Sequence, residues 1–174
     1  GTVGGALAMN AGAWGAETWP YVVETETIDR AGARHRRPAS EYRYGYRSVT
    51  PPVPGEWFLA ATFRFEQRPD AGTGSIKRLL EERHAKQPIG EPSCGSGFTN
   101  PPGGHAADLI ERAGLKGHRI GGAQVSAKHA NFILNTGAAR AADIEALIAH
   151  VRATVERVHG VRLVPEVRVI GEAA

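Results

Sequence analysis

The distribution of strand-favouring and helix-favouring residues changes near residue 70 of this 174-residue chain. Residues 21–28 and 56–65 carry β-branched and aromatic side chains between turn signals, a pattern that predicts two strands. The second strand supplies three predicted core residues, Phe58, Phe63 and Phe65. Residues 67–72 are polar and contain proline and glycine, which indicates a linker. We therefore expect two structural parts, one on each side of it.

Helical patterns dominate the second part. One helix is predicted from an N-terminal cap at Ser75 to about residue 86, and two more at 106–113 and 141–159. A glycine follows each of the last two and is placed to end it. The longest helix has one apolar stripe at three- and four-residue steps, formed by Ile144, Leu147, Ile148, Val151, Val155 and Val158.

A strand is predicted after the longest helix, at 161–170. Its residues at 161, 163, 167 and 169 are all apolar and would share one face, whereas Glu166 would point to the other. Pro165 has no backbone N–H to donate, so the strand is expected to lie at a sheet edge or to be bulged there. A carboxylate beside such an irregularity can project into a cleft.

Composition and charge limit the classes of protein to consider. The net charge is only +3, so the short cationic run at 34–37 favours a solvated turn over a nucleic-acid groove, and this balance also suits an anionic small-molecule ligand. The single cysteine, Cys94, excludes an internal disulfide and indicates a reducing compartment. No apolar run approaches the roughly 20 residues of a membrane-spanning helix. We expect a soluble, cytoplasmic protein that binds neither nucleic acid nor membrane.

Four polar loops rich in glycine or proline are candidate sites, because loops on a rigid scaffold often carry function. The first spans residues 1–15, where small residues would let a flat or phosphorylated ligand approach the backbone; two tight turns are an equal alternative. The second, 42–48, alternates tyrosine with arginine. That alternation suits stacking on a planar ring and pairing with a carboxylate or phosphate, although an exposed strand would have the same pattern.

The third loop, 86–101, places Ser96 between two glycines. A serine hydroxyl is a poor acid unless nearby cations stabilise the alkoxide, a role open to Lys86, Arg47 or Lys116 if folding brings one of them close. Asn100 could fix a polar group of a ligand.

Cys94, in the same loop, is predicted to be a small buried thiol rather than a nucleophile. The fourth loop, 115–132, is a basic, glycine-rich turn that suits a diphosphate. The histidines His105, His118 and His129 lack carboxylate or cysteine partners at metal-ligand spacing, so no metal site is expected.

Taken together and in order, the loops resemble one known family, the bacterial UDP-N-acetylenolpyruvoylglucosamine reductases. The similar segments are GTVGGALAMNAGAWG, YRYGYRS, KQPIGEPSCGSGFTNPPG, LKGHRIGGAQVSAKHANFILN and LVPEVRVIG. The resemblance implies an α+β fold, in which residues 1–68 are the later part of a flavin-binding domain and residues 71–174 are a substrate-binding domain with a small antiparallel sheet and packed helices. Residues 48–74 are too few to hold the substrate loop of one subclass, so the chain resembles the loop-lacking subclass.

The resemblance also implies a reaction in two halves. NADPH reduces bound FAD, and hydride then passes to C3 of the enolpyruvyl ether of UDP-N-acetylglucosamine while a proton is added at C2, which gives UDP-N-acetylmuramic acid. Ser96 matches the proton donor to C2. Arg47 matches the arginine that polarises the enolpyruvyl carboxylate, and Glu166 matches the acid that works with it, as a protonated donor or through a water.

The remaining site residues follow from the same resemblance. Positions that hold the substrate are matched by Tyr46, Lys86, Asn100 and Lys116. Positions that contact the flavin are matched by Gly1, Thr2, Gly4, Gly5, Asn10 and Gly12. Thr99 stands where the family often has a basic residue, a departure that bears on phosphate contacts. The complete enzyme is expected to be a monomer.

The chain opens with glycines and has no initiator methionine, so we expect a fragment or one half of a split protein. The family's first FAD-binding segment has no counterpart in it, and the isolated chain is expected to bind FAD weakly or not at all. Two alternatives stay open: a catalytically silent fragment that retains UDP-sugar binding, and a different flavin-dependent oxidase with the same flavin fold. The joint presence of Arg47, Ser96 and Glu166 favours the reductase.

Overall fold

The computed structural model describes residues 1–69 and 72–171. The chain forms two compact units, Gly1–Asp70 and Ala71–Ala174. Both units combine helices with antiparallel strands, which confirms the predicted α+β class.

Residues 1–69 of the first unit form one α-helix, two short 3-10 helices (Trp19–Tyr21 and Ala39–Glu41) and three small antiparallel sheets. Strands β4, β3 and β7 form a three-stranded sheet in that order, and β1–β2 and β5–β6 are two-stranded. The elements are α1 (Val3–Met9), β1 (Gly12–Ala13), β2 (Ala16–Glu17), β3 (Val22–Ile28), β4 (Arg34–Pro38), β5 (Arg43–Gly45), β6 (Ser48–Thr50) and β7 (Trp57–Phe63). The buried apolar residues of this unit are Leu7, Trp19, Val22 and Tyr42.

The opening of the chain is a helix, not the glycine-rich loop predicted for it. Thr2 is the N-cap of α1, and its hydroxyl accepts a hydrogen bond of 3.1 Å from the Gly5 N–H. The helix ends at Asn10, which adopts a left-handed conformation. A good cap at one end and a residue tolerant of positive φ at the other offset the low helix propensity of the two glycines inside α1.

The predicted strands 21–28 and 56–65 are confirmed as β3 and β7, with β7 ending at Phe63. Phe58 and Phe63 pack against the core of the unit, as predicted. Phe65 does not: it lies beyond the strand, is 68% exposed, and contacts the rings of Tyr21 and Phe63 instead. Once the strand has ended, the alternation that directs every second side chain inward no longer applies.

The second unit has a four-stranded antiparallel sheet and three helices. The strand order is β8–β11–β10–β9. The elements are α2 (Thr73–Lys86), β8 (Ser93–Ser96), α3 (Ala106–Arg112), β9 (Arg119–Ile120), β10 (Ala123–Val125), β11 (Phe132–Asn135) and α4 (Ala141–His159). The helices α3 and α4 contact each other, and α4 also packs on β9 and β10.

The apolar stripe of α4 is confirmed as a core surface. Four of its six residues are buried, namely Leu147, Ile148, Val151 and Val155, and Ile144 is partly buried. Val158, in the last turn, is 46% exposed. Gly160 ends the helix with a φ of +67°, as its position predicts.

The helix α2 begins three residues earlier than predicted. Its N-cap is Gly72, and Ser75 lies inside the first turn, where its hydroxyl contacts the backbone of Gly72. Ser75 therefore stabilises the helix start from the third helical position rather than from the cap. The predicted linker 67–72 includes residues 70 and 71, which lie outside the described residues.

The segment 161–170 is not a strand. Leu163 is buried as predicted, but Val169 is 64% exposed, and the segment forms a single isolated bridge, between Pro165 and Phe98. The Thr99 N–H donates to Val164 O and the Glu166 N–H to Gly97 O, both at 2.9 Å, so the pairing is confined to the residues on either side of Pro165. The alternating apolar residues therefore indicate an extended segment, but this segment is not a strand of the unit's four-stranded sheet.

Within the described part of the chain, no helix has the length and apolar character needed to span a membrane.

Candidate active site

The tyrosine–arginine motif lies at the tip of the β5–β6 hairpin. Gly45 pairs with Ser48, so Tyr46 and Arg47 form a two-residue loop in which Arg47 has a φ of +52°. Tight hairpin loops require positive φ, but asparagine or glycine usually supplies it, so arginine is unusual here. The Arg47 Cζ atom lies 5.1 Å from the centre of the Tyr46 ring, within cation–π range.

Two backbone carbonyls orient the Arg47 guanidinium. Its Nη2 donates to Gly12 O at 3.0 Å, and its Nη1 donates to Asn10 O at 3.4 Å. Gly12 gives it room, since a Cβ at that position would lie 3.3 Å from Arg47 Nη1 and 2.5 Å from Ala16 O. The segment after α1 and the hairpin therefore hold a permanent cation in a defined position.

The side chain of Asn10 forms hydrogen bonds inside the first unit. It is completely buried; its Nδ2 donates to Glu17 Oε2 at 2.8 Å and to Gly45 O at 2.9 Å, and its Oδ1 accepts from the Trp19 N–H at 3.0 Å. A flavin contact at Asn10 would have to use main-chain atoms. The sequence does not indicate Glu17 as the partner of Asn10, because an isolated carboxylate between turn residues does not reveal its hydrogen-bond partner.

The four other predicted flavin-contacting residues before Asn10 lie at the start of α1. Gly1, Thr2 and Gly5 are exposed. A Cβ added at Gly4 or Gly5 would meet, outside the helix backbone, only the Thr2 hydroxyl, at 4.0 Å and 3.4 Å. The bare backbone of this turn is therefore open to a flat or phosphorylated ligand, which fits a flavin nucleotide.

In the second unit, Ser96 ends β8 beside a β-bulge. Ser93 pairs with Leu134 and Ser96 with Phe132, so three steps along β8 oppose two along β11. The extra residue is accommodated by Gly95, whose φ is +83°. Bulges of this kind redirect side chains and are frequent beside active sites.

The main chain of Glu166 contacts the residue that follows Ser96. Its N–H donates to Gly97 O at 2.9 Å, next to the isolated bridge between Pro165 and Phe98. The second unit thus brings together the backbones that carry two of the three predicted catalytic residues. The third, Arg47, belongs to the first unit.

The predicted substrate-binding residues of the second unit have different environments. Lys116 forms an ion pair of 2.7 Å with Glu111, and both side chains are partly exposed. Asn100 Oδ1 accepts a hydrogen bond of 3.1 Å from the Ala106 N–H at the start of α3. Lys86 is the last residue of α2 and is exposed.

Comparisons with known proteins agree on one family. A sequence profile for the C-terminal domain of UDP-N-acetylenolpyruvoylglucosamine reductase matches residues 87–170. Reductases of that name from Alkalilimnicola ehrlichii and Methylococcus capsulatus are 60% and 56% identical to the chain over 174 residues, which are 99% of this chain and 58% and 57% of theirs. The crystal structure of the Thermus caldophilus reductase superposes with a TM-score of 0.76 at 35% identity, covering 94% of this chain and 58% of that one.

The chain is similar to UDP-N-acetylenolpyruvoylglucosamine reductases over nearly its whole length. It spans a little over half the length of the curated reductases it matches.

The predicted site residues divide between the matched reductase domain and the rest of the chain. Ser96, Asn100, Lys116 and Glu166 lie inside the segment matched by the C-terminal domain of the reductase family. The hairpin residues Tyr46 and Arg47, the residues around α1, and Lys86 lie before it.

Cys94, in the reductase-matched segment, is exposed and not buried as predicted. It lies in β8 next to Gly95, within the bulged part of the strand. Partial desolvation of the thiol raises its pKa, and the nearby charge of Glu166 raises it further. A thiol with a raised pKa is mostly protonated near neutral pH, which argues against a nucleophile.

The pKa of His129 is perturbed by its surroundings. Burial lowers the pKa, and the charge of Lys116 lowers it further, so the neutral ring is favoured. Its ring packs edge-on against Phe132. Nowhere between residues 1–69 or 72–171 do three histidine, cysteine, aspartate or glutamate residues form a group suited to a metal ion.

Proposed function

We propose that this chain carries the catalytic arginine turn and the substrate-binding unit of an FAD-dependent, NADPH-consuming UDP-N-acetylenolpyruvoylglucosamine reductase. The product would be UDP-N-acetylmuramic acid, a precursor of peptidoglycan. The observation that carries the proposal is the main-chain hydrogen bond between Glu166 and Gly97, which joins the backbone of an acidic residue to the bulged segment that contains Ser96. Similarity to the reductases supports it.

In this proposal the two units have different roles. Residues 1–68 contribute to FAD binding and residues 71–174 bind the UDP-sugar. The exposed glycines and Thr2 at the start of α1 would hold the flavin nucleotide, with the main chain of Asn10 and Gly12 next to them. FAD, when bound, supplies the two-electron redox chemistry that no amino-acid side chain provides.

Arg47 would stabilise charge on the substrate. Hydride addition at the carbon β to a carboxylate builds negative charge on that carboxylate, and a fixed cation lowers the barrier most when it needs no reorganisation. The carbonyls of Gly12 and Asn10 already orient the guanidinium. Glu166 would assist as a protonated donor to the same carboxylate or through a water.

Ser96 would deliver the proton to C2. The hydroxyl must lie within hydrogen-bond reach of that carbon and on the side opposite the hydride donor. Because a free serine is a weak acid, neighbouring cations have to stabilise the alkoxide that forms. Lys86 and Lys116 are the candidates in the same unit.

The UDP-sugar would be held by Tyr46, Lys86, Asn100 and Lys116. Lys116 is the proposed contact to the anionic groups, because its ammonium is partly exposed beside a glycine-rich turn. We propose that the chain belongs with the loop-lacking subclass. Because Thr99 stands where the family often has a basic residue, another group would have to make that contact to a phosphate.

The test uses a hybrid reductase, in which residues 1–174 replace the matched part of the relative that is 60% identical. We expect NADPH consumption that depends on the enolpyruvyl substrate. Replacing Ser96 by Ala should leave flavin reduction by NADPH intact and slow enolpyruvyl reduction by roughly 10³-fold or more, since only the second step needs the proton.

Equal loss in both steps would reject the assigned role of Ser96. An unsubstituted hybrid that binds the UDP-sugar but never reduces it would favour the second candidate, a catalytically silent UDP-sugar-binding module.

A further inference from the structure

Asn131 binds both backbone polar groups of a single residue next to the proposed site. Its Nδ2 donates to Phe98 O at 2.8 Å, and its Oδ1 accepts from the Phe98 N–H at 3.0 Å. The side chain therefore replaces a neighbouring strand as the hydrogen-bond partner of that residue. Asn131 is 4% exposed, so its amide is used entirely inside the protein.

The main chain of Asn131 extends this contact by one residue. Its carbonyl oxygen accepts a hydrogen bond of 2.6 Å from the Gly97 N–H. Three hydrogen bonds from Asn131 thus hold two consecutive residues. The ring of Phe98 is 2% exposed and packs in the core of the unit, which fixes the same residue from its side-chain end.

The opposite side of this segment carries Glu166. The Gly97 N–H is bound to Asn131, and the Gly97 carbonyl accepts from the Glu166 N–H at 2.9 Å. Gly97 is also joined covalently to Ser96. Any movement of Gly97 would therefore displace the backbones of both proposed catalytic residues at once.

We infer that Asn131 is a positioning residue, which sets the relative placement of Ser96 and Glu166 through the backbone of Gly97 and Phe98. This inference rests on the proposed function for its chemical meaning. Asn131 would act through other residues, because its buried amide forms hydrogen bonds with the Phe98 backbone rather than with a substrate.

The alternative is a purely structural role, common for buried asparagines in turns. Asn135 provides a matched control at the other end of β11, because its Oδ1 accepts hydrogen bonds from the Gly137 and Ala139 N–H groups at 2.9 and 3.1 Å. Asn135→Ala removes two side-chain-to-backbone hydrogen bonds from the same region, as Asn131→Ala does. The Asn135 side chain bonds to the turn at Gly137 and Ala139, and the main-chain hydrogen bond from its N–H to Pro92 O is kept in the variant.

The first experiment compares the two alanine variants in the hybrid reductase. For Asn131→Ala we expect unchanged reduction of the flavin by NADPH, an enolpyruvyl-reduction rate that falls by about 10²-fold, and a small change in substrate KM, because displacement of reacting groups by about 1 Å has an effect of that size. For Asn135→Ala both rates should stay unchanged. Equal rates for the two variants would overturn the inference, as would a parallel loss in both half-reactions.

The second experiment uses pH to restore the missing donor. Asn131→Asp keeps the acceptor for the Phe98 N–H but loses the donor to Phe98 O while the carboxylate is ionised. Burial raises the pKa of such a carboxyl, and its protonated form has an O–H that can donate to Phe98 O. The enolpyruvyl-reduction rate of Asn131→Asp relative to the unsubstituted hybrid should therefore rise as the pH is lowered. A ratio that does not change with pH would count against positioning by this amide.

A third measurement does not depend on catalysis. Amide hydrogen exchange at Gly97, Phe98 and Glu166 should be faster in Asn131→Ala than in Asn135→Ala. If exchange at these positions is unaltered, the inference fails whatever the activity. If the unsubstituted hybrid reduces no substrate while exchange responds as expected, the proposed function has failed and the positioning of the Ser96 and Glu166 backbones by Asn131 stands.

Discussion

Asn10 shows how one buried polar residue can organise the proposed cationic site. Its side chain joins Glu17, the hairpin carbonyl of Gly45 and the Trp19 N–H, and its own carbonyl receives the Arg47 guanidinium. It also adopts a left-handed conformation with a φ of +48°, which asparagine tolerates better than most residues. Two separate physical demands therefore fall on the same position.

A pair of substitutions separates those demands. Asn10→Ala should lower the free energy of unfolding of the chain by about 3 kcal/mol, because buried partners lose their hydrogen bonds and alanine is strained at positive φ. Asn10→Gly loses the same hydrogen bonds without the strain, so it should be less destabilised by about 1 kcal/mol. Denaturant unfolding of both variants measures the difference. Alanine and glycine variants of equal stability would show that the backbone conformation costs nothing.

At the scale of elements, Asp143 links the start of α4 to the turn before β10. It is buried, and its Oδ2 accepts from the Arg140 N–H at 3.0 Å and from the Gly122 N–H at 3.3 Å. The Arg140 N–H is the main cause of a lowered Asp143 pKa, followed by the Arg140 side chain and the Gly122 N–H. The turn at Gly121 fits so closely against this carboxylate that a Cβ there would lie 2.5 Å from Asp143 Cγ.

A pH dependence of stability follows from that lowered pKa. A carboxyl with a folded-state pKa below its unfolded value of about 3.9 stabilises the fold fully above that value, and the contribution is lost as the pH falls through the folded pKa. Asp143→Asn should therefore lower the thermal midpoint at pH 7 and flatten the loss of stability below about pH 4. Thermal unfolding between pH 2 and pH 7 checks both effects. Parallel curves for the two proteins would mean that the charge of Asp143 contributes nothing.

Elements with a strong local pattern could be predicted from the sequence, and those that depend on distant partners could not. The apolar stripe of α4 repeats over five turns, so its helix and buried face were predictable. The helix α1 was missed because two glycines argue against a helix, while the Thr2 cap and the packing of Leu7 that stabilise it are only visible after folding. The strand predicted at 161–170 has the alternation, but its pairing is limited to the isolated bridge between Pro165 and Phe98 and the hydrogen bonds that flank it.

The same distinction holds for the candidate site. Arg47, Ser96 and Glu166 stand in motifs and could be named from the resemblance. Gly97 as the link between two of them could not, because the contact joins positions almost 70 residues apart through main-chain atoms that every residue possesses. The exposure of Cys94 could not be predicted either, since the bulged pairing of its strand with β11 is a tertiary contact.

For the whole molecule, the central prediction is that Arg47 of the first unit and Glu166 of the second act on one carboxylate. In the hybrid reductase, Arg47→Ala and Glu166→Gln should each slow enolpyruvyl reduction. If both act on the same group, the double variant should lose much less than the product of the two single losses, with an interaction energy of about 1–3 kcal/mol.

Single-turnover rates of the four proteins give this interaction energy. Pairing Arg47→Ala with Asn135→Ala supplies the control, which should be additive because Asn135 lies in a separate turn. Additive losses for Arg47 and Glu166 would show that the two residues work independently, and the assignment of a shared substrate group would be wrong.

The contact between Gly97 and Glu166 makes the two proposed proton-handling positions separable by mutation. It is built from a peptide N–H and a peptide carbonyl, so replacing the serine hydroxyl or the glutamate carboxyl leaves it in place. Variants at Ser96 and Glu166 should then report on the chemistry of the lost group without a shift of the other. A change to the backbone itself, such as a proline in place of Glu166, would disturb both positions together, as Asn131→Ala is expected to do.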